Sequence, residues 1–304
     1  TALFEPGGNV AVQYSPRGAL PRMDALPAGL MELAREHGLK PVSSAPLLAE
    51  LAALTPAEIA QHERAAAILT AAVQGTFAWL RERLAPGAAT TARPVQTFLA
   101  ERMRAGGLAP DVPPLVAFGE HTADPHYAPG PHADAPLVPD ELILLDAWGR
   151  LPDDGAPYAD ITWMGVTQAE VPHEWAELFG VIRRARDAGV EAVAGAAARG
   201  RDITGAHVDE VVRSVIEAAG YRDYFLHRTG HCLGTEVHGL GVNLDSVEAP
   251  DDRPLPPGGA FTIEPGLYLP GRWGMRTEID VVLERGTARV TTTPFQTALL
   301  PILG

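Results

Sequence analysis

Two halves of this chain carry the same helix punctuation at one fixed offset. Thr55-Pro56-Ala57-Glu58 reads as a capping box with proline at the first helical position. Thr91 is placed to cap a second helix and Gly106-Gly107 to end it. Gln168 lies 113 residues beyond Thr55, Thr204 the same distance beyond Thr91, and Gly220 the same distance beyond Gly107. Caps and glycines are common enough for coincidence, but an internal duplication of a helix-helix-strand unit is the simplest reading.

The duplication dictates the class. The first long helix is predicted over 55–84, ended by Ala85-Pro86-Gly87, and its counterpart over 168–199. Strands are predicted at 115–118, 141–148 and 158–163 after the first helix pair. After the second pair they fall at 235–238, 260–269, 275–283 and 288–292. This is an α+β chain: helix pairs back a mostly antiparallel curved sheet, and a pseudo-twofold leaves a central cleft. Ahead of it, residues 1–53 hold two short strands (9–14, 39–42) and two helices (27–37, 46–54). So small a piece makes a poor independent domain. The expected division is a reduced α/β N-terminal segment, 1–53, and a catalytic domain, 54–304.

Charge and cysteine usage remove several function classes. Asp and Glu number 38 against 24 Lys and Arg, a net charge of −14, which opposes nucleic-acid binding. Cys232 is the single cysteine, so neither an internal disulfide nor a cysteine zinc cage is available. The sequence shows neither a signal-peptide pattern in its first ten residues nor an 18-residue uncharged apolar run. The expected setting is cytoplasmic, with no membrane partner.

The polar residues that stand out are those in apolar surroundings. His227, His231, His238, Glu264 and Glu278 sit in Gly-punctuated apolar sequence, and Asp146 and Asp160 interrupt strand-like runs (LILLDAW, YADITW). A buried carboxylate is costly without a positive partner, either arginine or a metal. A hairpin joining the two Asp-bearing strands brings those acids together. Four carboxylates and one imidazole would underneutralise around one divalent ion. Two ions roughly 3.5–4 Å apart suit them better. HExxH, GxxxxGK[ST] and CxxC motifs are absent.

The segments HRTGHCLGTEVH, TIEPGLYLPG and MRTEIDVVL, preceded by D…YADIT, resemble the pita-bread (M24-type) metallopeptidases. That superfamily holds methionine aminopeptidase, aminopeptidase P, prolidase and creatinase. The resemblance runs from about residue 55 to the end. The HRTGH form is similar to the Xaa-Pro dipeptidase and aminopeptidase P branch, here with a shortened N-terminal domain.

The resemblance implies a pita-bread fold and a ligand set. Asp146 would hold one ion, Asp160 would be shared, His231 and Glu264 would hold the second, and Glu278 would bridge. The ions would be manganese, with zinc or cobalt as alternatives. His126 would face the substrate and His238 the scissile carbonyl or the proline side. Arg276 would stand at the back of the site. The implied reaction is hydrolysis of Xaa-Pro dipeptides by a metal-bridging hydroxide, with Glu264 passing the proton. Alternatives are aminopeptidase P acting on longer peptides, a creatinase-like amidinohydrolase, or a catalytically silent binding module.

A substrate carboxylate would need Arg228, Arg272 or Arg276, although the latter two could instead pair with Asp280 or Glu278. His227 would either contact the substrate or brace its loop. The expected partners are short proline-containing peptides and a second copy in a homodimer. The chain departs from the family pattern at the 14-residue spacing of Asp146 and Asp160, at Cys232 and at Gly239. Asp153 and Asp154, in the polar turn, are weaker alternative acids. Cys232 is expected to be a packed residue, and His121 and His132 to be solvent-exposed.

Overall fold

The computed structural model describes residues 7–84, 89–109, 112–130 and 134–303. The Ala85-Pro86-Gly87 stop and His132 lie outside the described residues. Helix α3 (Pro56–Arg83) opens on the expected box: the Thr55 side chain accepts from the Glu58 N–H, and the Glu58 carboxylate accepts from the Thr55 N–H at 2.7 Å. Ala65, Leu69, Val73, Phe77 and Leu80 form its buried stripe. Helix α4 (Ala92–Ala105) packs beside it. Thr91 does not cap α4 with its side chain: its hydroxyl donates to Asp134, whose carboxylate accepts the Arg93 N–H and does the capping.

The second pair is α5 (His173–Ala198) and α6 (Gly205–Ala218). Helices α4 and α6 keep the offset of 113 at both ends, and Thr204 caps α6 through the His207 N–H at 3.2 Å. Gly107 and Gly220 follow them in positive-φ conformations of 100° and 87°. The long pair departs from the register. Helix α5 starts at His173, not Gln168, because Pro172 excludes helical geometry from the residue before it. Among the described residues no helix is long and apolar enough to cross a membrane.

Each helix pair backs a four-stranded sheet. Strands β1 (Asn9–Val12) and β2 (Lys40–Ser43) pair in parallel near α1 (Ala28–Glu36) and α2 (Ala45–Leu51). A short β3 (Thr90–Thr91) pairs with β5 (Pro136–Leu137). The first four-stranded sheet, order β14-β7-β6-β4, holds β4 (Leu115–Phe118), β6 (Leu142–Arg150), β7 (Tyr158–Val166) and β14 (Leu300–Pro301). Only β14 runs parallel to its neighbour there. The second, order β13-β12-β9-β8, is wholly antiparallel: β8 (Cys232–Leu233), β9 (Ala260–Ile263), β12 (Ile279–Glu284) and β13 (Thr287–Val290). Strands β10 (Gly266–Leu269) and β11 (Trp273–Arg276) form a separate hairpin.

Three expected strands come out differently. The one at 260–269 is two, β9 and β10, broken at Glu264-Pro265, where proline supplies no N–H to a ladder. The one at 275–283 is β11 and β12, broken at Thr277-Glu278. Both glutamates therefore sit at bends between sheets, where a side chain can leave the plane of either. The strand expected at 235–238 is a loop: the Gly239 N–H returns to the Cys232 carbonyl at 2.8 Å and closes it.

Candidate active site

Strand register places the two aspartates. Asp146 on β6 stands opposite Thr162 of β7, and Asp160 stands opposite Trp148. The aspartates are therefore diagonal neighbours on one face of the sheet rather than a direct pair. The extra residues between them form a turn in which Asp153 and Asp154 are exposed, so neither joins the site. Thr162, on the same face, donates its hydroxyl to the Glu278 carboxylate at 2.6 Å, and its carbonyl accepts the Glu278 N–H at 3.3 Å. That stitch draws the second half's glutamate against the first half's strand.

His231 enters through a close backbone approach. A Cβ on Gly230 would lie 2.0 Å from the Thr262 carbonyl oxygen, so only glycine fits there. His231 and Thr262 then exchange hydrogen bonds: the His231 N–H goes to the Thr262 hydroxyl, and the Thr262 N–H to the His231 carbonyl, both at 3.0 Å. The same hydroxyl donates to Glu264 at 3.0 Å.

Three of the five expected ligands converge. Asp160, His231 and Glu278 each offer a ligand atom within 4.8 Å of the other two, and all three are buried. Glu264 borders them, 3.4 Å from His231 Nε2. Asp146 lines the same cavity, but Arg276 holds its carboxylate.

The electrostatics suit a cation. Burial, then the repulsion of Glu278, Asp146, Asp280 and Glu264, holds the Asp160 carboxyl well above its ordinary range. Burial, then Glu264 and Asp146, does the same to Glu278. Burial raises Asp146 against the pull of Arg276, and raises Glu264 to about 7. His231 is driven the other way by burial and by His238 and Arg228, which leaves a neutral imidazole. One Asp160 carboxylate oxygen, Oδ1, is buried without a hydrogen-bond partner. Crowded carboxylates, a deprotonated imidazole and an orphaned oxygen fit a divalent ion chemically.

The remaining candidates divide between cavity wall and brace. His238 meets the His231 ring edge-on at 4.3 Å, and burial lowers its pKa to about 4. His126 is exposed and lines the cavity mouth. His227 is a brace. Its Nδ1 lies 2.7 Å from the Arg228 carbonyl, which can only accept, so Nδ1 carries the proton and Nε2 accepts from the Tyr268 hydroxyl at 2.8 Å. The Arg276 guanidinium in turn donates to Tyr268 and, through Nε, to Thr162 at 3.0 Å.

The three arginines therefore differ. Arg276 is engaged by Asp146, Thr162 and Tyr268. Arg272 lies at the exposed tip of the β10–β11 hairpin, away from the cavity lining. Arg228 lines the cavity, with its Nε buried and without a partner.

The cavity measures about 240 Å³, and Leu115, Pro125, Trp148 and Val237 give it an apolar wall. Cys232 is buried, as expected, and burial pushes its thiol up to about 11. His121 is half-buried rather than exposed, stacked on Tyr127 at 4.5 Å. Sequence reasoning missed Thr162, Thr262 and Tyr268. The two threonines lie two residues from Asp160 and Glu264, the same-face spacing of a strand, which was a usable signal.

Comparison with known proteins gives the family and the fold. A family model described as metallopeptidase family M24 matches residues 60–285. The chain is 32% identical over 282 residues to a probable dipeptidase PepE of Mycobacterium tuberculosis, covering 92% of this chain and 69% of that one. It is 33% identical over 189 residues to an Xaa-Pro dipeptidase of Lactobacillus helveticus, 62% of this chain and 47% of that one. The crystal structure of dipeptidase PepE from Mycobacterium ulcerans superposes with a TM-score of 0.73 at 30% identity, covering 97% of this chain and 70% of that one.

Proposed function

The chain belongs to metallopeptidase family M24 and has the pita-bread fold, and from that premise we propose that it hydrolyses the bond before proline in Xaa-Pro dipeptides. The observation that carries this reading is the convergence of Asp160, His231 and Glu278 in one buried cavity.

Two divalent ions would be held there, one by Asp146 and Asp160, the other by His231 and Glu264, with Asp160 and Glu278 shared. Four carboxylates and one imidazole favour manganese, with zinc or cobalt as alternatives. When bound, the ions would supply Lewis acidity to the scissile carbonyl and acidify the attacking water.

The chain's own residues do the rest. Glu264 takes the proton of the attacking water and passes it to the departing proline nitrogen. His238 is neutral at working pH and donates its N–H to the negative charge that develops on the carbonyl oxygen as the carbon is attacked. His126 closes the substrate side. The apolar wall of Leu115, Pro125, Trp148 and Val237 excludes water and packs the proline ring. Arg228 receives the C-terminal carboxylate, for which guanidinium geometry is suited.

The size of the cavity supports a dipeptide. At about 240 Å³ it falls below the ~300–1,000 Å³ typical of pockets for drug-sized ligands. The names borne by the Mycobacterium and Lactobacillus relatives point the same way. Residues 1–53 are taken as an N-terminal unit beside a catalytic unit of 54–304, and the enzyme as a cytoplasmic homodimer. The test is hydrolysis of Ala-Pro and Ala-Pro-Ala by manganese-loaded protein. Cleavage of the dipeptide is expected. Cleavage of the tripeptide alone would replace this reading with aminopeptidase P.

A further inference from the structure

We propose that Glu248 is a specificity-determining residue, which makes the enzyme favour a cationic over an anionic side chain on the residue before proline. The inference rests on the reading of Arg228 as the receptor of the substrate carboxylate. Five carboxylates line the cavity among the described residues. Four are the metal-ligand candidates. The fifth is Glu248, whose side chain is 47% exposed at the rim.

Glu248 is fixed in place, although it sits in a loop. Its Oε1 accepts the Arg228 backbone N–H at 2.8 Å. Asp245, 2% exposed, accepts the N–H groups of Val247, Glu248 and Ala249 at 2.9, 2.9 and 3.0 Å, which freezes the turn. Both loops that build this corner hang from one ion pair on α6, the buried Asp209 and the half-buried Arg213. Asp209 accepts the N–H groups of Thr229 and Ser246, each at 2.9 Å, and Arg213 donates to Asp209 and to the His227 carbonyl. The spacing of Arg228 and Glu248 is therefore set by the scaffold.

That spacing leaves the guanidinium available. Glu248 Oε2 stands 3.8 Å from Arg228 Nη1, an ion pair but too long for a hydrogen bond, and Arg228 Nε has no partner. A substrate carboxylate can take the Nη donors of the partly exposed guanidinium without displacing Glu248, while the buried Nε stays out of its reach. Once Arg228 is neutralised in that way, the charge of Glu248 stands uncompensated at the cavity wall. A second anion on the substrate then meets repulsion, and a cation meets attraction. The partial exposure of Glu248 screens both, so the discrimination is moderate and falls on binding rather than on the chemical step.

The test uses Xaa-Pro analogues whose scissile carbonyl is replaced by methylene, with Lys, Ala or Glu at Xaa. Their binding to manganese-loaded protein is measured by calorimetry, in parallel with hydrolysis of the ordinary dipeptides. The expected ratio of affinities, Lys analogue over Glu analogue, falls about tenfold in Glu248→Gln and inverts in Glu248→Lys. In hydrolysis the change is expected in KM rather than kcat. A ratio unchanged in both variants, or no measurable binding of any analogue to the wild type, overturns the assignment. Failure of the wild type to cut any Xaa-Pro dipeptide while the ratio still shifts would overturn the proposed reaction and leave the role of Glu248 standing.

Discussion

The Arg276 guanidinium, on β11 in the second half of the duplication, donates to the Asp146 carboxylate on β6 in the first half. Both side chains are nearly buried, at 5% and 12% exposure. Arg276 also donates to Thr162, whose hydroxyl donates to Glu278. One guanidinium thus orients acids from both halves. Removing one partner of a buried pair leaves the other charge uncompensated, at a cost of about 3–5 kcal/mol. Arg276→Gln is expected to lose about that much in urea unfolding at pH 8. A loss within the scatter of surface substitutions would show that the two halves are held together elsewhere.

Glu264 separates catalysis from stability. Its carboxyl is raised by burial and by the charge of Asp146. Glu264→Gln keeps the shape but can neither take the water proton nor ligate strongly. With manganese at saturation, kcat should fall about 10³-fold. The metal-free variant should unfold at higher denaturant than the wild type, because one repelling carboxylate is gone. Wild-type turnover in this variant would remove Glu264 from the reaction.

The pH dependence of manganese stabilisation follows from the same carboxyl. Its pKa of about 7 in the metal-free fold exceeds the ordinary value of 4.5. Between these values the fold holds a proton that the unfolded chain releases, so metal-free stability falls as pH rises through 4.5 to 7. Manganese takes the deprotonated form. The rise in melting temperature on adding manganese should therefore grow from pH 5.5 to 7.5. A flat profile would place the ion away from Glu264.

His62 carries the opposite sign. It is fully buried on α3, its Nδ1 2.8 Å from the Tyr158 carbonyl and its Nε2 2.7 Å from the Thr291 hydroxyl, and burial lowers its pKa from 6.5 to about 4. The unfolded chain binds the proton that the fold excludes. The contribution is full above pH 6.5 and is lost as pH falls from 6.5 to about 4, at most about 3 kcal/mol. His62→Gln should flatten the acid limb of unfolding free energy against pH relative to the wild type. Parallel acid limbs would mean that His62 is protonated in the fold.

Local chemistry explains which parts of this architecture were legible beforehand. The capping box at Thr55 and the Thr204 cap were readable because each acts within four residues. Thr91 was not, since its place is taken by Asp134 from a distant loop. Pro265, which cannot donate to a ladder, was a readable signal for the break at Glu264, whereas the break at Thr277-Glu278 lies inside a β-rich run with no local signal. His227, Arg272 and Arg276 looked alike as polar residues near a motif. What separates them is tertiary: a tautomer fixed by the Arg228 carbonyl, a hairpin tip, and a pairing with a strand 130 residues away. Glu248 gave no sign at all within an acidic spacer.

The most direct test is release of free proline from Ala-Pro by the manganese-loaded protein, followed through chelation and manganese re-addition. The expected result is turnover that stops with chelator and returns with manganese. Turnover that survives complete removal of metal, or none with manganese bound at saturation, would contradict the assignment.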